Sequence, residues 1–462
     1  MLVKALAEYA HREASRNLPQ EVIHHAKRAL LDWFSALIPG TRFSPAINLV
    51  QAHAAELGHG KSSLPGLGTV AFPGTAAWIN GSASHSVEFD DISREALYHP
   101  GCPTIAAALA VAEDQGISGL ELLKAITVGY EISTRIALAV QPAHYRFFHT
   151  TGTAGCFGAA AAAAFLMRPM ETDVARHALA TAASFAAGLQ QAFRSDAMTK
   201  PLHAGHAAWV GVAAGKGAAN GITGAQDMLE GPAGFGAAMS QNPQWQRATE
   251  GLGERYNITQ MTQKNHGCCG HTFSAVDAAL LLRKKYDLVP ARIESIVVGT
   301  AKTPIEIAGN SSPKTAYECK FSFSYVVAHA LVYGSVRLNA FSQERRSDPD
   351  IRTLMGKLTI GEDPALSATF PRARSARVVI TTKDGKRLEH FQEHRKGDPE
   401  APLSDAELDD KFYELSAPVI GKEASRVLRD QIWSLEKLQV ADLKLAALES
   451  IETSQARGAT AK

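Results

Sequence analysis

The stretch that decides the fold is GTAGCFGAAAAAAF, residues 152–165, in which ten of 14 residues are glycine or alanine. A second stretch of the same kind, GHAAWVGVAAGKGAANG, covers residues 205–221. Small residues three and four positions apart on a helix let neighbouring backbones approach closely, so both stretches predict central helices of a tightly packed bundle. The spacing of Gly152, Gly155 and Gly158 does not indicate a dinucleotide site, because the segment before it is not a convincing strand.

Helical patterns continue on both sides of these stretches. Apolar residues recur three and four positions apart across residues 19–40, and the stripe stops at Gly40. Ser118 and Glu121 form a capping-box pattern ahead of residues 122–140. The first two thirds of the chain therefore predict one helix after another.

The pattern changes after about residue 290. RIESIVVGT, residues 292–300, is rich in β-branched residues, and residues 376–393 read as two strands about an Asp384-Gly385 turn. Helical patterns return at Ser404 and Glu407, which form another capping box. The sequence predicts a mainly α fold, in which residues 1–271 and 401–462 form a large all-helical domain and residues 272–400 form a smaller inserted α+β domain.

Composition excludes several classes of partner. The 462 residues are 45% hydrophobic, and 47 Lys and Arg face 46 Asp and Glu. So balanced a charge predicts neither nucleic-acid binding nor attachment to an anionic membrane. We expect no stretch of roughly 18 apolar residues that would span a bilayer. The N-terminus lacks a signal-peptide pattern and the five cysteines follow no disulfide framework, so a cytoplasmic location is expected.

The first candidate site is EFDDISREALYHPG, residues 88–101. Glu88, Asp90 and Asp91 lie too close to ionise without mutual cost if they are buried together. His99 precedes a Pro-Gly turn that could present its imidazole toward a cleft. The alternative is a solvated loop with a surface histidine.

The second candidate is RFFHTTGTAG, residues 146–155. His149, Thr150 and Thr151 stand at the expected start of the small-residue helix, where backbone N–H groups and the helix dipole favour an anion such as a substrate carboxylate. The alternative is that one threonine serves only as an N-cap. Lys200, in MTKPLHAGHAAW, precedes a proline and is expected in an extended link before the next helix.

The last candidate is QKNHGCCGHTFSAVDAALLLR, residues 263–283, where Lys264, His266 and His271 surround Cys268 and Cys269. These residue types suit zinc, but adjacent cysteines cannot easily share a tetrahedral site and no second pair has finger-like spacing. The sequence therefore predicts no metal, and favours a loop that carries a histidine into an active site between the two domains.

Five segments in this order resemble the MmgE/PrpD family, which includes 2-methylcitrate dehydratase, cis-aconitate decarboxylase and iminodisuccinate epimerase. The resemblance implies a homodimer whose active site lies between the domains and uses neither a metal nor a nicotinamide cofactor. The segments are residues 87–101, 147–166, 200–224, 264–280 and 314–334.

Carried over by motif position, the resemblance implies site residues in four segments. This chain departs from the family's decarboxylases at two points. It has Asp-Asp-Ile, ending at Ile92, where they look like Asp-Asp-Thr, and its interval from this motif to His99 is one residue longer than theirs. The implied residues are Glu88, Asp90, Asp91, His99, His149, Lys200 and His271.

The expected function is a cofactor-independent lyase that removes a proton next to a carboxylate of a small di- or tricarboxylate. A 2-methylcitrate dehydratase-like activity is favoured; the alternatives are an epimerase of an aspartate-derived dicarboxylate, a cis-aconitate decarboxylase-like enzyme, or a noncatalytic carboxylate-binding protein. His99 and His271 are the expected acid/base pair, assisted by Lys200 and Asp91. The expected substrate contacts are Glu88, Asp90, His149, Thr150, Thr151 and Lys264.

Overall fold

The computed structural model describes residues 1–193 and 197–451, and the chain divides into two compact units. The helical unit comprises Met1–Met261 and Ser404–Lys462, and the mixed unit comprises Thr262–Leu403. Over the part of the chain described, 60% of the protein is helical, with 21 α-helices. The predicted fold class is confirmed, whereas the predicted helical end beyond residue 451 lies outside the described residues.

The helical unit contains most of the helices and one short antiparallel ribbon, which the sequence analysis did not predict. Its elements are α1 (Leu2–Ser15), α2 (Gln20–Gly40), α3 (Ala46–Ala52), β1 (Ser62–Leu64), β2 (Thr69–Ala71), α4 (Pro73–Ser84), α5 (Gly101–Gln115), α6 (Gly119–Val140), α7 (Thr150–Thr153), α8 (Gly155–Met167), α9 (Thr172–Ser184), α10 (Thr199–Ala219), α11 (Phe235–Met239), α12 (Gln246–Thr249), and later in the chain α20 (Asp405–Ile420) and α21 (Lys422–Trp433).

The small-residue helices α8 and α10 pack directly against each other, as predicted. A Cβ on Gly211 would lie 2.2 Å from the Cβ of Ala159, and one on Gly215 would lie 2.8 Å from the Cβ of Ala163. Only glycine permits so close an approach. The stretch Thr150–Met167 has the length and apolar composition to span a membrane, so the expectation of no such stretch is wrong; 94% of it is buried, as in a core helix.

Helix α10 also packs closely on α4, and this contact positions two candidate site residues. A Cβ on Gly205 would lie 2.1 Å from the Ser82 hydroxyl. His85 directly follows α4, and Lys200 lies in the first turn of α10. The expectation that Lys200 lies in an extended link is therefore wrong, because the first turn of a helix accommodates Pro201 without losing an intrahelical hydrogen bond.

The mixed unit contains a four-stranded sheet in the order β4-β3-β5-β6, with β3 parallel to β4 and antiparallel to β5. The hairpin predicted at Asp384-Gly385 joins β5 to β6 and is confirmed, with Gly385 at φ +79°. The elements of this unit are α13 (Phe273–Tyr286), β3 (Ile293–Thr300), α14 (Lys302–Ala308), α15 (Ala316–Lys320), α16 (Phe323–Tyr333), α17 (Gln343–Arg346), α18 (Pro349–Gly356), β4 (Leu358–Glu362), α19 (Pro364–Thr369), β5 (Ala376–Thr382) and β6 (Arg387–Gln392).

Candidate active site

Most of the predicted site residues meet inside the helical unit. They come from the connection between α4 and α5, from the residue that precedes α7, and from the first turn of α10. All are buried except His99, which is half-buried. The residues that meet are Glu88, Asp90, Asp91, His99, His149 and Lys200.

Lys200 forms a buried ion pair with Glu88, in which the ammonium donates to the Glu88 carboxylate. The two side chains are 7% and 8% exposed, so the pair is shielded from water. Glu88 has a φ of +64°, which is rare for a residue with a side chain and persists only where the surroundings hold it. The left-handed backbone at Glu88 is therefore maintained by the packing of the connection and by its ion pair with Lys200.

Asp90 is shared by two imidazoles. Its Oδ2 lies 2.7 Å from Nδ1 of His85 and 2.9 Å from Nδ1 of His99. The His99 Nδ1 also lies 2.9 Å from the backbone oxygen of Asp91. Because a carboxylate and a carbonyl only accept hydrogen bonds, we assign a proton to both Nδ1 atoms. Nε2 of His99 is then the nitrogen that can exchange a proton with a ligand.

His85, Asp90 and His99 also form the one group of potential metal ligands found in residues 1–193 and 197–451. Ligands of tetrahedral zinc, at roughly 2.1 Å from the metal, lie roughly 3.3 Å from one another. The contacts of 2.7 and 2.9 Å at Asp90 are shorter than that and have the length of hydrogen bonds. The donor set is therefore arranged for hydrogen bonding.

The buried histidines of this site form a row of rings. The His85 and His149 rings stack with centroids 5.5 Å apart, and His149 Nδ1 lies 3.0 Å from His203 Nδ1. Burial lowers the pKa of His85 to about 4, and burial, followed by the charge effect of His85, lowers the pKa of His149 well below its usual value. Both rings are thus neutral near pH 7. His99, 17% exposed, is more accessible to a ligand than His85, which is fully buried.

Asp91 supports the turn that carries His99. Its oxygens accept from the Tyr130 hydroxyl at 2.7 Å and from the Gly101 backbone N–H at 3.0 Å. Burial, and next the charge of Asp32, raises the pKa of Asp91 to about 7. With both oxygens used by the protein, this geometry suits a positioning role better than the predicted catalytic one.

The two threonines at the start of α7 also hold neighbouring groups. The Thr151 hydroxyl accepts from the His99 backbone N–H at 3.2 Å, and the Thr150 hydroxyl accepts from the Gln141 amide at 2.9 Å. The N-cap residue of α7 is His149, so neither threonine caps the helix. The binding of a substrate carboxylate at Thr150 and Thr151 stays a prediction.

Sequence analysis missed a buried support for the acidic segment. Lys411 in α20 donates to Asp32 Oδ1 at 2.6 Å and to the Phe89 backbone oxygen at 2.9 Å. Lys411 and Asp32 are almost fully buried. In the sequence each of them is one charged residue within a helical segment. Such a residue does not identify a partner more than three hundred residues away.

His85 was missed as well, although it precedes the acidic segment by only a few residues. It lies just after α4, and nothing in its local pattern distinguishes it from a surface histidine. Its role depends on the turn that brings Asp90 back to it.

The remaining predicted residues belong to the mixed unit. Lys264 is buried, and His271 is half-buried with its ring 5.9 Å from that of Phe370. Burial, followed by the charges of Arg374 and Arg395, lowers the pKa of His271 well below its usual value. The pairing of His271 with His99 in one site stays a prediction.

The comparison with known proteins covers nearly the whole chain. Residues 4–248 match the MmgE/PrpD N-terminal domain, and residues 266–437 match the MmgE/PrpD C-terminal domain. Cis-aconitate decarboxylase of Homo sapiens is 28% identical over 453 residues, covering 95% of this chain and 92% of the relative. A cis-aconitate decarboxylase-like protein of Aspergillus oryzae is 27% identical (91% and 91% covered), and cis-aconitate decarboxylase of Aspergillus terreus is 25% identical (94% and 93% covered).

Proposed function

The chain belongs to the MmgE/PrpD family, and from that premise we propose that it is a lyase acting on a small tricarboxylate of the aconitate type without a cofactor. The names of the curated relatives support the substrate class. One structural observation carries the proposal: a half-buried histidine, His99, is held through Nδ1 by Asp90, in the same buried cluster as the Lys200–Glu88 ion pair.

The chemistry requires a base, or an acid, next to a bound carboxylate. A C–H bond beside a carboxylate is very weakly acidic, so charge that develops on the carbon must be stabilised by a fixed donor. His99 has its Nδ1 proton engaged by two acceptors, and Nε2 is suited to take or return a proton. Its orientation is therefore set before substrate binds.

Lys200 is the proposed anchor for a substrate carboxylate. An ammonium has three N–H donors, so Lys200 can keep its contact with Glu88 and bind a second carboxylate. Its charge already contributes to lowering the pKa values of His85 and His149. A cation that disfavours protonation of neighbouring imidazoles equally favours an anionic ligand beside them.

Decarboxylation is the first reaction to test, because the curated relatives reported above are named cis-aconitate decarboxylases or are similar to them. In that reaction a carbon–carbon bond breaks and carbon dioxide leaves. His99, which has taken up a proton from water at Nε2, donates that proton to the carbon that retains the electron pair. The second candidate is a 2-methylcitrate dehydratase-like hydro-lyase. It is kept because this chain has the buried apolar Ile92 where the family's decarboxylases look like Asp-Asp-Thr, and the loss of that hydroxyl counts against a decarboxylase.

The experiment incubates the protein in deuterated water with cis-aconitate, citrate, 2-methylcitrate and an aspartate-derived dicarboxylate, and follows the products by NMR. Release of carbon dioxide identifies a decarboxylase, loss or gain of water a hydro-lyase, and deuterium entry with inversion an epimerase. Binding without turnover of any acid would instead support the noncatalytic alternative and refute the lyase.

A variant then tests the site itself. His99→Ala should lower turnover by at least about a hundredfold, the usual scale for a lost acid or base. His59→Ala, which removes an exposed histidine of the same unit, is the matched control and should leave turnover unchanged. Full activity in His99→Ala refutes the assignment of His99.

The homodimer implied by the resemblance is also proposed. Light scattering should then give about twice the 49.3 kDa of one chain. A mass of one chain at micromolar concentration contradicts it.

A further inference from the structure

His85 contributes to the site in a way that the proposed reaction does not use. Its Nδ1 donates to Oδ2 of Asp90 at 2.7 Å, and the side chain is fully buried. The other ring nitrogen, Nε2, is buried without a hydrogen-bond partner among the described residues. A buried polar atom left in this state is unusual and calls for an explanation.

The Asp90 oxygen that accepts from His85 also accepts from other groups. Oδ2 of Asp90 accepts from His85, from His99 at 2.9 Å, and from the Cys102 thiol at 3.4 Å. Every donor on one carboxylate oxygen stabilises its negative charge and weakens its attraction for the other donors. The strength of the Asp90–His99 contact therefore depends on whether His85 is present.

We propose that His85 is a positioning residue that acts on His99 through Asp90. The His85 N–H holds the shared oxygen in place and limits how strongly that oxygen favours the charged form of His99. This inference rests on the proposed function, in which His99 exchanges a proton with the substrate. Without the His85 donor, Asp90 interacts with His99 more strongly and His99 holds its proton to higher pH.

The groups around the two rings keep His85 in its donor role. The charges of Lys200 and His99 oppose protonation of His85, and burial opposes it more strongly than either. His85 therefore remains neutral while it donates through Nδ1. The titratable and charged groups placed against the two rings are Asp90 and Asp91 on the connection, Lys200 on α10, Cys102 on α5 and His149 before α7. Tyr130 on α6 acts one step away, through its hydrogen bond to Asp91.

Three substitutions at His85 distinguish the effect of its hydrogen-bond donor from the effect of its ring shape. In His85→Asn the amide nitrogen is the same number of bonds from Cα as Nδ1, so the donor to Asp90 is retained. In His85→Gln the amide is displaced toward the position of Nε2, and in His85→Phe the ring shape remains without any donor. A residue that matters only by filling space would tolerate Phe best, whereas the proposed role requires Asn to be best.

The first measurement is the pH profile of kcat/KM with whichever acid of the panel is turned over. In His85→Phe and His85→Gln, we expect the pKa of the limb that His99 governs to rise by about one unit. This is the acidic limb where His99 takes a proton, with kcat/KM about tenfold lower on it, and the alkaline limb where His99 donates one. His85→Asn should keep the wild-type profile and most of the activity. Profiles identical to wild type in all three variants, or an Asn variant no better than Gln, overturn the proposal.

The second measurement does not depend on turnover. The C2–H resonance of His99, assigned with His99→Ala, is titrated by NMR in the ligand-free protein. A midpoint that rises in His85→Gln and not in His85→Asn supports the role of His85 even if the reaction is not the one proposed; unchanged midpoints overturn it. If His85→Phe does not fold, the Asn and Gln variants decide the question by themselves.

Discussion

The polar clusters of the two units are built on different principles. In the mixed unit, the arginine–aspartate network, formed by Thr262, Arg395 and Asp398, is fully paired: Oδ1 of Asp398 accepts from Thr262 and Arg395, and Oδ2 accepts twice from Arg395. Nearby, Asp277 accepts from His266 at 2.8 Å and from the Lys396 backbone N–H at 2.8 Å. Every carboxylate oxygen of Asp398 and Asp277 therefore has a donor, although Nδ1 of His266, like Nε2 of His85, is buried without a partner among the described residues.

The imidazole cluster of the helical unit, formed by His85, Asp90, His99 and His149, is arranged differently. One oxygen of Asp90 serves two rings, and Nε2 of His85 is buried without a partner among the described residues. The donors on Asp398 are a guanidinium, a hydroxyl and a backbone N–H, which keep their protons near pH 7. An imidazole can gain or lose a proton in that range, so the contacts of Asp90 include a proton position that can change. The comparison supports the proposal that the imidazole cluster is the reactive one, whereas the donors of the mixed-unit network suit a structural brace.

The largest expected effect is on the Lys200–Glu88 pair beside the imidazole cluster. Lys200→Met removes the proposed anchor and should lower kcat/KM by at least about a hundredfold. It also removes the charge that pairs with the buried Glu88, which should cost about 3–5 kcal/mol in the free energy of unfolding measured with urea.

The double variant Lys200→Met/Glu88→Gln separates the two consequences. It should regain stability and remain inactive, because the charge that binds the substrate is still absent. Lys216→Met, at an exposed position of α10, is the control and should behave as wild type. Recovery of activity in the double variant would remove Lys200 from the proposed site.

The next largest effect is expected from a substitution in the arginine–aspartate network of the mixed unit. Arg395→Met leaves Asp398 without its main partner in a fully buried position, so the free energy of unfolding should fall by about 3–5 kcal/mol. The folded fraction should keep its kcat within about tenfold. Arg292→Met, which changes an exposed arginine of the same unit, should alter neither quantity. If Arg395→Met reduces kcat as much as Lys200→Met does, the distinction between brace and reactive cluster is wrong.

A smaller effect is expected from moving Asp91. A Cβ on Gly101 would lie 2.8 Å from Oδ1 of Asp91 and 2.8 Å from the Tyr130 hydroxyl, so Gly101→Ala must displace the residue whose carbonyl holds His99. We expect kcat to fall about tenfold and stability to fall by about 1–3 kcal/mol. Gly356→Ala, with no atom within 4 Å of the new Cβ, is the control. An unchanged kcat in Gly101→Ala would mean that His99 is not held by this turn.

The smallest effect concerns a buried carboxyl outside both regions. Burial raises the pKa of Glu113 to about 7, even though both its oxygens accept from Ser63. The folded state therefore keeps a proton that the unfolded state loses, and the protein becomes less stable as pH rises from about 4.5 to 7.

Glu113→Gln removes that titration and should flatten the pH dependence of stability by up to about 2–3 kcal/mol, measured as urea midpoints between pH 5 and 8, without changing kcat. Glu254→Gln at an exposed position of the same unit should leave the slope unchanged. A slope in Glu113→Gln equal to that of wild type would mean that burial alone does not perturb this carboxyl.

Predictions based on neighbours in the sequence agree well with the structure. The hairpin at Asp384-Gly385 and the capping box of Ser404 and Glu407 are confirmed, because each depends on hydrogen bonds within a few residues. The close packing of α8 on α10 was also predictable, since small side chains are required wherever two helices approach so closely. Lys200 was placed wrongly because a proline can either precede a helix or occupy its first turn.

The sequence by itself determined the helices, the small-residue core, the mixed character of the inserted segment, predicted at residues 272–400, and the residue types of the acidic segment. Only the tertiary structure decided which partner each charge has: that Asp90 joins His85 to His99, and that Lys411 supports Asp32 and the Phe89 carbonyl. The physical reason is the separation in sequence between the residues that interact. Helix caps and turns are local, whereas the pairing of buried charges depends on which distant segments the folded core brings within hydrogen-bonding distance.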